Sequence, residues 1–201
     1  MVLKIENNKI VKGLEEFRSK TNNDIYMEMM VRALAMIPSE YILYDEAKHS
    51  ESTSMTEFYH QWRILLDENN SNDLHLNTEV VKHFNITEEN KRKAPDVILH
   101  HSQLDNDDNR IVCEVKRQGW SNDKFEKDMN TLNLLLTAAN KNYPLKENFK
   151  WGVFIQFGGS IDRIEKCVRN QSFNRNILCF VVNDDVSQIT VETIDEISKS
   201  L

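Results

Sequence analysis

Residues 94–117 read APDVILHHSQLDNDDNRIVCEVKR. Two extended apolar runs, 94–101 and 110–117, flank the acidic stretch LDNDDN. So short a polar connection between strand-like runs predicts an antiparallel hairpin. Alternation along a strand sorts the second run by face, with Ile111, Cys113 and Val115 on one side and Val112, Glu114 and Lys116 on the other. A carboxylate and an ammonium thus share one face of an otherwise apolar strand. That placement costs free energy unless the two are paired or bind something. On the first run Asp96 follows Pro95 where the apolar residues begin. With the turn centred anywhere between Asp105 and Asp108, the return brings Asp96 towards the Glu114–Lys116 end of the hairpin.

Outward from the hairpin, periodicity assigns the flanking elements. Upstream, helices are expected at 9–19 and at 24–37, where IYMEMMVRALAMI stops at Pro38. The second is apolar on most sides, so it is deeply buried or pairs with another subunit in a homodimer. The polar stretch KHSESTS leads to a helix at 55–69, and LHLNTEVVKHF (74–84) reads as a strand. Downstream, a helix at 122–140 carries Phe125, Met129, Leu132 and Leu136 on one stripe. WGVFIQF (151–157) is a buried strand, SIDRIEKCVRN a helix, and NILCFVV (176–182) a further strand. The class is therefore α/β, a mixed central sheet flanked by helices with extra helices at the N-terminus. One domain is expected over 1–201: a helical extension at 1–50, a core at 54–157, and a C-terminal helix and strand within 158–201.

Bulk properties set the boundaries. The chain of 201 residues is 40% hydrophobic and 28% charged, an ordinary globular composition. No apolar run has the length of a membrane span, and MVLKIENNKI lacks a signal-peptide core, so a soluble cytoplasmic protein without membrane contact is expected. Cys113, Cys167 and Cys179 leave an odd thiol and match no zinc spacing, which suits reduced cysteines. The formal charge of -7 argues against a nucleic-acid partner, whose binders are usually basic. Net charge says little about one local patch, however, and Lys91, Arg92, Lys93, Lys116, Arg117, Lys124 and Lys127 cluster around the hairpin in sequence.

Two carboxylates converging beside a lysine suit phosphodiester hydrolysis. Mg²⁺ or Mn²⁺ accepts hard oxygen ligands, keeps several waters, and needs one or two carboxylates besides the substrate phosphate. It polarises a phosphoryl oxygen and lowers the pKa of a bound water. Lys116 can orient that water or stabilise charge developing on the phosphate.

At Pro95-Asp96 and Glu114-Val115-Lys116, eighteen positions apart from Asp96 to Glu114, the sequence resembles the PD-(D/E)xK nucleases, the restriction-endonuclease-like proteins. The resemblance covers roughly 54–157, as helix, three strands, helix and strand. It implies that Asp96 and Glu114 hold the metal and that Lys116 assists the attacking water. It also implies an auxiliary acid from the preceding helix or first strand, for which Glu57 and Glu79 are the matches. Gln156 resembles a polar position that many relatives place near the site. ExK alone is unspecific, since Glu46-Ala47-Lys48 and Glu89-Asn90-Lys91 also satisfy it. Only the third copy closes a hairpin that opens with Pro-Asp.

Each residue also has a structural reading. Glu114 and Lys116 can form an ion pair on a solvated face, and Asp96 can terminate a turn. Ser54-Met-Thr-Glu57 matches a capping box, which would occupy the Glu57 carboxylate at a helix start. Asp128 reads as solvated or lysine-paired. His100 and His101 face opposite sides of the hairpin, and either is an ordinary strand residue unless one approaches the site. Gly158-Gly159-Ser160 reads as a turn, and Trp120 as a seal of helix against sheet rather than a base-stacking platform. The expected activity is metal-dependent cleavage of nucleic acid, DNA first, by Asp96, Glu114 and Lys116. The alternative is a nuclease-fold binding or assembly module without turnover.

Overall fold

A computed structural model of the chain describes residues 1–42, 51–71, 73–78, 95–100, 109–137, 148–168 and 172–199. The hairpin is present in it, with strand β4 (Val97–His100) antiparallel to β5 (Asn109–Arg117) and Val97 opposite Cys113. On the outer side β3 (His75–Thr78) pairs antiparallel with β4. On the inner side β5 runs parallel to β6 (Trp151–Phe157), and β6 runs parallel to β7 (Ile177–Val182). Parallel neighbours need crossovers, and the helices α4 (Asn122–Leu135) and α5 (Asp162–Val168) supply them.

The rest of the sheet is built from the two ends of the chain. β1 (Val2–Glu6) and β2 (Lys9–Lys12) form a hairpin, and β1 pairs with β8 (Gln188–Thr193), which pairs with β7. The described strands make one eight-stranded mixed sheet in the order β2-β1-β8-β7-β6-β5-β4-β3. Helices α1 (Leu14–Lys20), α2 (Ile25–Ala35) and α3 (Glu51–Glu68) cover one face, burying Phe17, Met30 and Trp62 against Cys113, Val115 and Phe180. Helices α4, α5 and α6 (Ile194–Lys199) cover the other, with Phe125, Met129 and Ile164 against Val112, Phe154 and Cys179. The expected α/β class, a mixed central sheet flanked by helices, is the one observed.

Several expectations need correcting. Residues 9–12, expected in a helix, are strand, so the first fifty residues are not a purely helical extension. The hairpin turns through Asn7 and Asn8, both left-handed at φ 50 and 59, a conformation asparagine tolerates better than most residues. The region after residue 158 holds a second strand and a second helix, β8 and α6. The apolar helix at 24–37 is α2, and Met27, Met29, Met30, Val31, Ala33, Leu34 and Ala35 on it are all buried within this chain. Apart from the half-exposed Ile25, its apolar surface is spent on the core, the deeply buried alternative of the two. Among the described residues no helix is long and apolar enough to cross a membrane.

Candidate active site

Glu114 and Lys116 project from the α4 side of β5, as alternation requires, because Val112 packs there while Cys113 and Val115 pack with α1–α3. They are not on a solvated face. Glu114 is 4% exposed and Lys116 9%. Asp96 stands just before β4, where the ladder to β5 ends at Val97–Cys113. Its Oδ2 accepts the next free amide, Val115 N–H, at 2.7 Å. The side chain thereby replaces a ladder partner that a strand opened by proline cannot extend. The same oxygen lies 3.5 Å from Lys116 Nζ.

Asp96, Glu114 and Lys116 are thus brought together, and α4 adds a fourth group. Asp128 Oδ2 lies 3.2 Å from Lys116 Nζ, with only 9% of the Asp128 side chain exposed. The ammonium acts on it both as a charge and as a hydrogen-bond donor. Lys116 Nζ also donates to Val115 O at 2.8 Å and to Asp96 Oδ2 at 3.5 Å. Of the two readings open to Asp128, lysine-paired holds and solvated does not. The signal for its burial was its place beside the apolar stripe, three residues after Phe125 and one before Met129.

Three carboxyl groups surround one ammonium, and the electrostatics follow. Burial, then the charges of Asp96 and Asp128, push the Glu114 carboxyl up to about 10; Lys116 opposes the rise, and a hydrogen bond with Asp96 adds to it. Burial also holds Asp128 above the ordinary aspartate range despite the lysine beside it. Ionising Glu114 here calls for more positive charge than Lys116 supplies among the described residues. A divalent cation between Asp96 and Glu114 fits that deficit, and the hard oxygen donors suit Mg²⁺ or Mn²⁺. Among the described residues no group of three or more His, Cys, Asp or Glu side chains is disposed to hold a metal ion, so such a cation would rest on this pair and on water.

The other expected residues fall elsewhere. Glu57 is on α3, across the sheet from Glu114, and accepts a hydrogen bond from Gln61 at 2.7 Å. No capping box forms, because the helix already begins at Glu51 and Ser54, inside it, donates to Tyr41 O. Glu79 lies outside the described residues, as do Lys91, Arg92, Lys93 and His101. Gln156 is the register partner of Lys116 on β6. Its carboxamide is engaged, accepting from Trp120 Nε1 at 2.9 Å and donating to Gly158 O at 2.7 Å. Trp120 seals α4 against the sheet, stacked on Phe125 and 4% exposed. Gly158 and Gly159 turn at φ 78 and 76, and α5 after them is one short helix with Ser160 bonded to Asp162. His100 is at the far end of β4, bonded to Asn77. Arg117 is buried and donates to Ile42 O, whereas Lys124 and Lys127 are exposed on α4.

No protein-family model matches the chain, and no curated protein matches it in sequence. Among solved structures, NucC from E. coli MS115-1 in its cAAA-bound form superimposes with a TM-score of 0.40 at 13% identity, over 94% of this chain and 86% of that one. At that distance the likeness assigns no activity to this chain.

Proposed function

We propose that the protein hydrolyses phosphodiester bonds in nucleic acid, DNA first, with Mg²⁺ or Mn²⁺ held by Asp96 and Glu114. The observation that carries the reading is the meeting of Asp96, Glu114 and Lys116 at one end of the β4–β5 hairpin, with Glu114 buried beside the carboxylates of Asp96 and Asp128. A divalent ion there supplies Lewis acidity to a phosphoryl oxygen and to a water. Asp96 is fixed in orientation by the Val115 amide, so it is held ready for the ion with little reorganisation. Lys116 donates an N–H to the attacking water or to the phosphate oxygen on which charge develops. Burial keeps bulk water from screening that interaction.

The test is cleavage of supercoiled plasmid, single-stranded DNA and RNA by the full chain in Mg²⁺, Mn²⁺ or EDTA. Metal-dependent cutting of one of these substrates, lost in Asp96→Ala, is the expected result. Well-folded protein that cuts none of them in any metal overturns the reading. It would favour the binding-module alternative, which the net charge of -7 also suits.

A further inference from the structure

We propose that the cavity beside the β1–β2 turn is a binding site for a small organic anion with an apolar body: an aryl or alkyl carboxylate, sulfonate or phosphate. It lies on the α1–α3 face of the sheet, opposite the face that carries Glu114, and does not depend on the nuclease reading.

Three elements meet around a space of about 410 Å³: the turn after β1, the end of α2 and the C-terminal part of α3. Small-molecule sites span roughly 300–1,000 Å³. Its apolar side comes from Ile10, Ala35, Met36 and Leu65, and all but Ala35 keep part of their surface exposed. The same stretch of chain buries Met27, Met30 and Leu34 completely, so this is apolar surface that the core leaves uncovered.

The polar side is cationic. Lys9 and Arg32 line the space, and among the described residues no acid does. Lys9 is exposed and makes no ion pair among the described residues, not even with Glu6, its register partner on β1. Arg32 donates from Nε and Nη2 to Glu28, at 2.9 and 2.7 Å, and Nη1 makes no bond among the described residues. Glu28 is shared with Arg18, so it offsets Arg32 only in part. Two cations beside uncovered apolar surface favour an apolar anion over a neutral or cationic ligand.

The turn adds an independent observation. Asn7 and Asn8 also line the space, at φ 50 and 59, and no hydrogen bond engages either carboxamide among the described residues. Glycine suits the second position of such a turn better, so Asn8 keeps a polar side chain there at a cost in stability. Such a cost is expected where a side chain serves binding rather than folding. Lysines on an edge strand also deter pairing with another sheet. That reading covers Lys9 and Lys12 alike, both on the edge strand β2, but not the apolar hollow next to Lys9.

The experiment is a fluorescence titration of the full chain with anilinonaphthalene sulfonate, an apolar anion, and with the uncharged phenylnaphthylamine. Saturable binding of the sulfonate at one site per chain, tighter than that of the uncharged probe, is the expected result. Lys9→Glu is expected to weaken the sulfonate roughly 10-fold and to leave the uncharged probe unchanged. Asn8→Gly is expected to weaken the sulfonate, and Leu65→Trp, which fills the apolar side, to abolish binding of both probes. Unchanged sulfonate affinity in any of these variants overturns the proposal. So does equal affinity for the two probes, adsorption without saturation, or no binding by the wild type. Lys9 and Asn8 are exposed, so their variants decide the matter should Leu65→Trp fail to fold.

Discussion

Glu114 faces Asp96 at the end of the β4–β5 hairpin, where burial and the Asp96 charge keep its carboxyl protonated far above the ordinary glutamate range. Glu114 holds its proton up to about 10 in the folded chain, against 4.5 for an ordinary glutamate. Between those values the folded state binds a proton that the unfolded state has lost, so rising pH favours unfolding. The penalty is absent below the ordinary value, where both states are protonated. Metal-free Glu114→Gln is therefore expected to melt above wild type at about pH 8 and level with it near pH 4. The gain at the higher pH is on the order of a few kcal/mol, since each displaced pKa unit is worth about 1.4 kcal/mol. Thermal melts across that range check it, and excess Mn²⁺ should raise the wild-type midpoint more than that of the variant.

Asp24 joins the second helix to the sheet. One carboxylate oxygen caps α2 by accepting from Tyr26 N at 3.0 Å, and the other accepts from Lys150 Nζ at 2.6 Å and Trp151 Nε1 at 3.1 Å. Burial works to raise its pKa, and the bonds from Lys150 and Trp151 outweigh that and lower it. A lowered carboxyl stabilises the fold above its unfolded value of 3.8 and loses that contribution as pH falls through its folded one. Asp24→Ala is expected to cost about 2–4 kcal/mol at neutral pH by urea denaturation, with the difference shrinking in acid. Asp24→Asn, which keeps the cap, should fall between the two.

Phe154 supports the site from beneath. It is the register partner of Glu114 on β6, fully buried, and meets Phe125 edge-on with ring centroids 5.0 Å apart. Phe154→Ala is expected to cost about 3–5 kcal/mol, read as a lowered urea midpoint with an unchanged slope.

The β1–β2 turn offers a change of opposite sign. Asn8 holds φ 59 in a two-residue connection that glycine occupies with less strain. Asn8→Gly is expected to raise stability by about 0.5–1 kcal/mol, measured by the same denaturation.

The sequence made the middle of the fold legible because its strands are local. Alternation within RIVCEVKR and the buried run WGVFIQF need only their own residues to be read, and β5 and β6 lie where those runs predict. The edge strands are different. β1 bonds to β8, with Met1 and Val191 joined across 190 positions, and no window of sequence displays such a pairing. The Asn7-Asn8 pair between alternating runs was the available sign of the first hairpin, and a helical reading of 9–19 overrode it. In the site, Asp96, Glu114 and Lys116 could be found because one hairpin carries all three. Asp128 could be placed on its helix but not against Lys116, since the packing of α4 on β5 is tertiary. Glu57 is the converse case: its helix was legible, but the face of the sheet that the helix covers was not.

Under the proposed function Asp96 and Lys116 act as one chemical unit. The most direct test is the single-turnover rate of DNA cleavage for wild type, Asp96→Ala, Lys116→Ala and the double variant at saturating Mg²⁺. Each single change is expected to slow cleavage at least about 100-fold, and the double variant to be little slower than either. Cleavage that survives both changes, or losses that multiply in the double variant, would contradict it.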